Sequence, residues 1–330
     1  MDEYIGKLSD DRKMSGSRLA SMFGLNKYSS PGNEFRKSRE AIDKNVPRLE
    51  QNEITPEAAI WGNLMENTIL NEGAKRLGLK INTQIKELYV DEELDLQASL
   101  DIILEGDGPV WKTDISKGIY VIGADSIQLK GPGVGEAKLT GANATDIPAP
   151  YRGPIQVQAQ FMCTGFSWGA IFTLYRGVEL RIYLMPVDPE MQQKIREVTS
   201  DFNSRIEAYK RDGTIDHYNP LSQEDAAATW NVIEEGEEPI ELKGRDIELA
   251  HTLFDAKRAE KAIKKQIKLT ETALMGVMGN HSVALAKKDG QTFEVSWPLN
   301  GEKKFKARPA EPARIQPPTR AKTLKVKETP

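Results

Sequence analysis

The stretch VGEAKLTG, residues 134–141, places a carboxylate and an ammonium two positions apart in an otherwise apolar segment. The pattern predicts a β-strand. Because side chains alternate between the two faces of a strand, Glu136 and Lys138 point to the same side. One interpretation is an ion pair on an edge strand. The other is a metal site, in which the carboxylate binds a hard divalent cation and the lysine acts on the attacking water.

A glycine-rich segment, GPGVG at residues 131–135, precedes this pair. Glycine-rich loops can bind phosphate, but here neither a Lys-Ser/Thr pair nor a helix follows, as a nucleotide-binding loop requires. We interpret the segment as a turn that leads into the Glu136 strand.

Glu66 lies on a predicted helix, on a face whose neighbouring residues are apolar or lack a side chain. A carboxylate on that face is expected to point toward the protein and not into solvent. Its neighbours at plus three and plus four are Ile69 and Leu70, and Gly62 at minus four leaves room beside it. The alternative is a surface carboxylate at the rim of an amphipathic face.

Asp101 lies in LQASLDIIL, residues 96–104, which predicts one strand. Alternation puts the apolar residues on one face and Asp101 with Ser99 on the other. A carboxylate within such a run costs several kcal/mol if it is buried and unpaired. The alternative is a strand that is half exposed to water.

Further elements follow from periodicity and turn signals. They are a helix capped by Thr55 and ending near Gly78, a helix with three glutamines over 155–168, two strands around Arg176–Gly177, helices over 188–212 and 244–275, and a hairpin at Asp289–Gly290.

The candidate site residues follow a characteristic order along the chain. A helix with Glu is followed by a strand with Asp, a strand with Glu-x-Lys and a helix with Gln. In this order the chain resembles the PD-(D/E)xK nucleases and, among them, the YqaJ-like viral recombinases, relatives of phage lambda exonuclease. The segments that carry the resemblance are GSRLASMFG (16–24), WGNLMENTI (61–69), SLDIIL (99–104), GEAKLTG (135–141) and QVQAQFMCTG (156–165).

The resemblance implies an α/β fold with a restriction-endonuclease-like core, a central mixed sheet flanked by helices, over residues 1–215. A helical extension with a terminal hairpin is expected over 216–300, and a basic tail without a packed fold over 301–330. The resemblance also implies an exonuclease that digests one strand of duplex DNA from the 5′ end. It would use two Mg²⁺ ions, for which Mn²⁺ substitutes, form a ring trimer, and pass the 3′ strand to a single-strand annealing protein.

The resemblance also implies roles for single residues. The metal ligands would be Asp101, Glu136, the main-chain carbonyl of Ala137 and, for a second ion or its water, Glu66. Lys138 would act on the nucleophilic water, Gln156 would contact the water or the lysine, and Gln160 would share that face as a supporting residue. The terminal 5′-phosphate would be bound by Ser17 and Arg12.

Two departures from the family pattern concern the strands. The stretch between Asp101 and Glu136 is longer than the usual tight hairpin, which predicts an extended hairpin. The segment that begins at Ser99 is S-L-D-I, where the family has S-x-D-G. Neither departure removes a ligand.

Charge is unevenly distributed along the chain. The formal net charge is −4, and residues 301–330 carry nine Lys/Arg against three Asp/Glu, which leaves −10 on the first 300 residues. A basic tail suits an interaction with DNA or an acidic partner.

Contacts to the DNA backbone are predicted among the early basic residues, whereas Trp61 and Trp168 are predicted to be core residues. These basic residues are Arg12, Lys13, Arg18, Lys27, Arg36, Lys37 and Arg39.

Composition excludes several classes of protein. One cysteine, Cys163, permits no disulfide within the chain, and three histidines without a CxxC pair make a zinc site unexpected. The charged start is not a signal-peptide pattern, and no apolar run is long enough to cross a bilayer. We therefore expect a cytoplasmic protein, in the host cytoplasm if it is phage-encoded.

Two other functions remain open from the residues alone. The same core serves DNA endonucleases that cut specific sites or structures. A catalytically inactive scaffold that binds DNA ends is the alternative from a different class, although the complete ligand set argues against it.

Overall fold

The structure, a computed structural model, describes residues 9–26, 28–44, 57–82, 85, 88–230, 239–289 and 291–297. The chain divides into two compact units, Met1–Trp230 and Asn231–Pro330, so the first unit extends beyond the predicted boundary at residue 215. Thr55, Lys27 and the basic tail over 301–330 lie outside the described residues.

The first unit contains both helices and strands. Its helices are α1 (Leu19–Met22), α2 (Pro31–Lys44), α3 (Glu57–Leu77), α4 (Pro154–Thr164), α5 (Pro189–Asp212) and α6 (Gln223–Thr229). Its strands are β1 (Met14–Ser15), β2 (Lys80–Asn82), β3 (Tyr89–Asp91), β4 (Leu96–Ala98), β5 (Ile102–Trp111), β6 (Ile119–Val121), β7 (Ile127–Thr140), β8 (Trp168–Tyr175) and β9 (Glu179–Pro186).

A central six-stranded sheet has the order β2-β5-β7-β8-β9-β6. β7 pairs with β8, and β9 with β6, in parallel, whereas the other neighbours are antiparallel. A smaller sheet has the order β1-β4-β3. The predicted α/β fold with a central mixed sheet is therefore confirmed.

Helices cover both faces of the central sheet. On one face, α3 packs Ile69 and Leu70 against Phe172 of β8. Its approach is close, because a Cβ added to Gly73 would lie 2.2 Å from the Phe172 ring. On the other face, α4 packs Val157 and Phe161 against β7 and β9. Because α1, α2 and α5 form a further apolar cluster beside α4, the helix is buried on both sides.

The single strand predicted for residues 96–104 is wrong in one respect. The chain leaves the small sheet after Ala98 and enters the central sheet at Ile102, so Ser99–Asp101 form a break between β4 and β5. The predicted common apolar face is lost at this break, since Leu100 packs in the α4 layer and Ile102 in the α3 layer. Asp101 thus stands at the start of β5 and not in the middle of a strand.

The prediction of a turn at residues 131–135 is also wrong. These residues lie within β7, where Gly133 pairs with Leu104 and Gly135 with Ile102 of β5. A Cβ on Gly133 would lie 2.4 Å from the indole ring of Trp168, which is buried as predicted. Packing inside the sheet, and not a change of chain direction, therefore accounts for a glycine here.

The long stretch between Asp101 and Glu136 forms an extended hairpin, as predicted. β5 pairs with β7 from Ile102↔Gly135 to Trp111↔Ile127, with an irregularity between Asp107 and Val110. The connection between the two arms contains β6, which pairs with β9 at the opposite edge of the sheet. The extra residues are thus built into the sheet.

The second unit contains the long helix α7 (Arg245–Met278) and a hairpin of β10 (Val283–Lys288) and β11 (Gln291–Ser296), which confirms the predicted helix and hairpin. Apolar side chains of α7, among them Ile263 and Ile267, are exposed. In the part of the chain that the structure describes, no helix combines the length and apolarity required to cross a bilayer.

Candidate active site

The predicted same-face pair on β7 meets α4. Lys138 Nζ donates to Glu136 Oε1 at 2.5 Å and to Gln156 Oε1 at 3.1 Å. The side chain of Glu136 is only 1% exposed, whereas Lys138 is half-buried. An ammonium has three donors, and the protein side chains accept two of them within the described residues. The third can face water or substrate.

The three glutamines of α4 divide into two groups. Gln156 and Gln160, one helical turn apart, both face the β7 pair. Gln160 Nε2 donates to Glu136 Oε2 at 2.8 Å and to the Ser99 carbonyl at 3.1 Å. Gln158 points away and bonds the segment that leads into α5. Two acceptors fix the orientation of the Gln160 amide, and its bond to Glu136 restrains that carboxylate.

Asp101 reaches the same end of β7 from the break before β5. Its Oδ2 accepts from the Ala137 backbone N–H at 3.0 Å. β5 begins at Ile102, opposite Gly135, so among the described residues no strand pairs with β7 on this side beyond Gly135. The Asp101 carboxylate takes the place of the missing ladder bond, which holds it beside Glu136.

Glu66, the remaining carboxylate predicted for the site, lies on α3, on the face of the central sheet opposite α4. It is a half-buried residue of α3, and a Cβ on Gly62, one turn earlier, would meet no atom within 4 Å, so the space beside it is open as predicted. Burial by itself lowers the pKa of Lys138, but the negative charges of Glu136, Asp101 and Glu66 outweigh it and hold the pKa above its ordinary value. The side chains predicted to act together therefore lie within one electrostatic cluster.

The cluster has more negative than positive charge, because several carboxylates act on one ammonium. Over the residues that the structure describes, no three Asp, Glu, His or Cys side chains converge into a metal site made of side chains alone. The donors present are nevertheless oxygens, and Mg²⁺ takes few protein ligands and completes its shell with water and phosphate. The donor chemistry thus fits a hard divalent cation.

Ser17 and Arg12, the predicted phosphate ligands, lie on the segment that packs against α4. A Cβ on Gly16 would lie 3.6 Å from the Gln156 carbonyl oxygen, so the neighbouring Ser17, whose side chain is exposed, is close to the site. Arg12 is held by Asp10, with Nη2 2.8 Å from Oδ2. A phosphate at Arg12 would have to share or replace this ion pair.

Arg18 corrects the prediction that early basic residues contact DNA. It is 6% exposed, and its guanidinium donates to Glu34 Oε2 at 2.8 Å, to Ser38 Oγ at 2.8 Å and to three backbone carbonyls. Its five donors are therefore all used inside the protein, and it stabilises the segment that carries Ser17. The sequence marks Arg18 as charged but contains no sign of this burial.

Trp61 corrects a second expectation. It was predicted to be a core residue, but it is 52% exposed and donates from Nε1 to Glu57 Oε1 at 3.0 Å. It lies with exposed Ile60 and Leu64 on the first half of α3. The buried stripe of the helix begins only at Ile69, where the sheet covers it.

Residues 11–167 match the sequence model of the YqaJ-like viral recombinase domain. The matched range contains every residue of the cluster, from the Ser17 segment to Gln160. The resemblance seen in the five motifs is thus confirmed. No curated protein matches this chain.

Several solved structures are similar to this chain. LHK-Exo in complex with dAMP is 18% identical, with 60% of this chain and 89% of that chain covered and a TM-score of 0.43. An alkaline exonuclease (LHK-Exo) from Laribacter hongkongensis is 17% identical, with 61% and 90% covered and a TM-score of 0.40. A phage-related exonuclease from Haemophilus somnus 129PT is 13% identical, with 61% and 96% covered and a TM-score of 0.39.

Proposed function

We propose that this chain, whose residues 11–167 match the YqaJ-like viral recombinase domain, is a metal-dependent exonuclease that acts on linear double-stranded DNA. The observation that carries the proposal is the Lys138 ammonium within a cluster of carboxylates from distant parts of the chain. A nuclease needs oxygen ligands for a divalent ion and a cation for the developing charge, and this cluster supplies both kinds of group.

The metal ligands are proposed to be Asp101, Glu136 and the Ala137 carbonyl, with Glu66 serving a second ion or its water. The cofactor is Mg²⁺, and Mn²⁺ would substitute for it. When bound, the ions lower the pKa of water and stabilise charge on the attacking and leaving oxygens.

The chain's own residues orient the reacting groups. Lys138 uses its third N–H to hold the attacking water or a phosphate oxygen, and the side-chain amide oxygen of Gln156 restrains the ammonium. Gln160 acts through another residue, because it holds the Glu136 carboxylate in one orientation. Ser17 would bind the terminal 5′-phosphate, with Arg12 as its partner.

The finer features of the reaction belong to the same proposal. Digestion would run from 5′ to 3′ on one strand, and the remaining 3′ strand would pass to a single-strand annealing protein. A ring trimer would enclose the duplex. The basic tail over 301–330 would bind DNA or an acidic partner, so its deletion is expected to weaken association and to leave catalysis nearly intact.

The test is a digestion time course with Mg²⁺ on 5′-phosphorylated, 5′-hydroxyl and covalently closed duplexes. We expect nucleotides from the linear forms only, most rapidly with the 5′-phosphate. Lys138→Ala should reduce the rate by about 10²- to 10³-fold, the usual cost of removing one preorganised donor that stabilises charge in the transition state. Lys210→Ala, which removes an exposed lysine paired with Glu207, is the matched control.

Each contrary result has a definite meaning. Cleavage of closed DNA would indicate an endonuclease. An absence of both hydrolysis and divalent binding would favour the inactive end-binding scaffold. Full activity in Lys138→Ala would refute the assignment of the site.

A further inference from the structure

Another cation adjoins the catalytic cluster on the same face of β7. Alternate strand positions share a face, so Thr140 follows Glu136 and Lys138 on the side toward α4. The Arg152 guanidinium donates from Nη1 to Thr140 Oγ1. Two strand positions span about 6.6 Å. The Thr140 hydroxyl, and the guanidinium bound to it, thus stand one side-chain step beyond Lys138.

Arg152 has no carboxylate partner among the residues for which the structure gives positions. Its other side-chain contact is the ring of Tyr151, whose centroid lies 5.4 Å from the guanidinium carbon. By contrast, Arg12 is paired with Asp10, and Arg181 with Asp146 at 2.6 Å. A guanidinium has five donors. Because Thr140 accepts only one of them, donors remain for an anion.

The backbone holds Arg152 in this position. Its N–H donates to the Ala149 carbonyl at 2.8 Å. The next residue, Gly153, has φ 117° and packs closely, since a Cβ there would lie 2.9 Å from Ile171. α4 starts directly after it and carries Gln156 in its first turn. The cation is thus fixed on the segment that joins the Lys138 strand to the glutamine helix.

We propose that Arg152 binds a phosphate of the DNA strand next to the phosphate that is cleaved. A guanidinium matches the planar arrangement of phosphate oxygens and can bind two of them at once. The step from Lys138 to Thr140 is of the order of the separation between neighbouring phosphates of one strand. A cation there also offsets the repulsion between the carboxylate cluster and the DNA. The inference rests on the proposed function, because it takes DNA to be the substrate.

The experiment measures the Kd of a 5′-phosphorylated duplex, in EDTA to prevent hydrolysis, at a series of salt concentrations. Arg152→Gln is expected to weaken binding about tenfold, the usual value of a charge-assisted hydrogen bond. The slope of log Kd against log salt should fall by about one, because one phosphate contact is lost. Arg152→Lys should keep the slope. Arg211→Gln, which removes a charge that is 70% exposed and paired with Asp212, should leave both quantities unchanged.

A structural role would give a different result. If Arg152 only anchors the loop through Thr140, Thr140→Val and Arg152→Gln should lower the melting temperature similarly while the salt slope stays unchanged, and that outcome overturns the proposal. Wild-type hydrolysis, measured separately with Mg²⁺, distinguishes the two failures. If the wild type hydrolyses DNA but Arg152→Gln leaves the slope of log Kd against log salt unaltered, the phosphate site is refuted and the proposed function stands. If Arg152→Gln reduces the slope but the wild type does not hydrolyse DNA, the proposed function is refuted and Arg152 remains part of a DNA-binding site.

Discussion

Glu34 and Glu136 are both buried carboxylates that accept hydrogen bonds from cations, but their surroundings differ in sign. Glu34 accepts from Arg18 and from Ser29 Oγ, and Lys37 lies 3.4 Å away, so positive charge is in excess. Glu136 shares one ammonium with further carboxylates, so negative charge is in excess. The first arrangement satisfies every donor of Arg18, whereas the second leaves a donor of Lys138 for another molecule.

The comparison shows that a buried ion pair by itself does not identify a site. What separates the two clusters is the remaining charge and the unused hydrogen-bonding capacity. Buried charges that are fully paired maintain a fold, and breaking them is costly. A cluster with surplus negative charge is suited to a cation that the protein does not itself supply.

The largest effect is expected for Arg18→Ala. The change leaves the buried Glu34 charge without its main partner, so we expect the free energy of unfolding to fall by about 3–5 kcal/mol. Urea unfolding measures this value. Arg36→Ala, which removes a half-buried arginine bonded to the neutral Asn33, serves as the control and should cost less than about 1 kcal/mol. Equal stability of the two variants would show that the Arg18 network is not structural.

Glu136→Gln should act mainly on hydrolysis. The rate should fall at least about 100-fold, since even residues that only support a metal ligand cost 10- to 100-fold when they are changed. Stability should change much less than in Arg18→Ala, because loss of one negative charge relieves repulsion with Asp101 and Glu66. Hydrolysis assays and urea unfolding of the same preparation separate the two effects. A large loss of stability would mean that Glu136 is a structural residue like Glu34.

The pH dependence of stability distinguishes the clusters further. Burial tends to raise the pKa of Glu34, but Arg18, Ser29 and Lys37 outweigh it and hold the pKa below its ordinary value of 4.5. The stabilisation is therefore complete above pH 4.5 and is lost as the pH falls through the lower folded-state value. Glu34→Gln should lower the free energy of unfolding at neutral pH by about 1–3 kcal/mol. It should also make the free energy of unfolding fall less steeply as the pH drops below 4.5. If the free energy of unfolding of Glu34→Gln falls with pH as steeply as that of the wild type, other carboxylates cause the loss of stability in acid.

The smallest effect on stability is expected for Arg12→Ala. The Arg12–Asp10 pair is partly exposed, and such pairs contribute less than about 1 kcal/mol. If Arg12 binds the 5′-phosphate, the preference for 5′-phosphorylated over 5′-hydroxyl ends should fall several-fold, as in Ser17→Ala. An unchanged preference in Arg12→Ala would show that Arg12 does not bind the 5′-phosphate.

Most of the site could be predicted because its motifs are short and local. The two-residue spacing of Glu136 and Lys138 requires a common face on any strand, and Gln156 and Gln160 share a face on any helix. Asp101 lies beside the other predicted residues, but its local structure differs from the predicted strand. Its position depends on a switch between two sheets, which alternation within one segment cannot reveal.

The errors share a cause. Arg18 was expected at the DNA surface because arginine is charged, and Trp61 in the core because tryptophan is apolar. The actual burial of each depends on which element covers it, and α2 covers Arg18, whereas the sheet does not reach the first half of α3. Residue type alone does not contain that information.

The sequence by itself determined the identity of the candidate site residues, their order along the chain and the face on which most of them lie, because backbone periodicity acts over a few residues. Only the tertiary structure decided which charges are balanced and which remain in excess. Side chains of α2 meet Arg18 in one cluster, and side chains of α3, β7, α4 and the break before β5 meet in the other. Long-range packing, not local spacing, brings each set together.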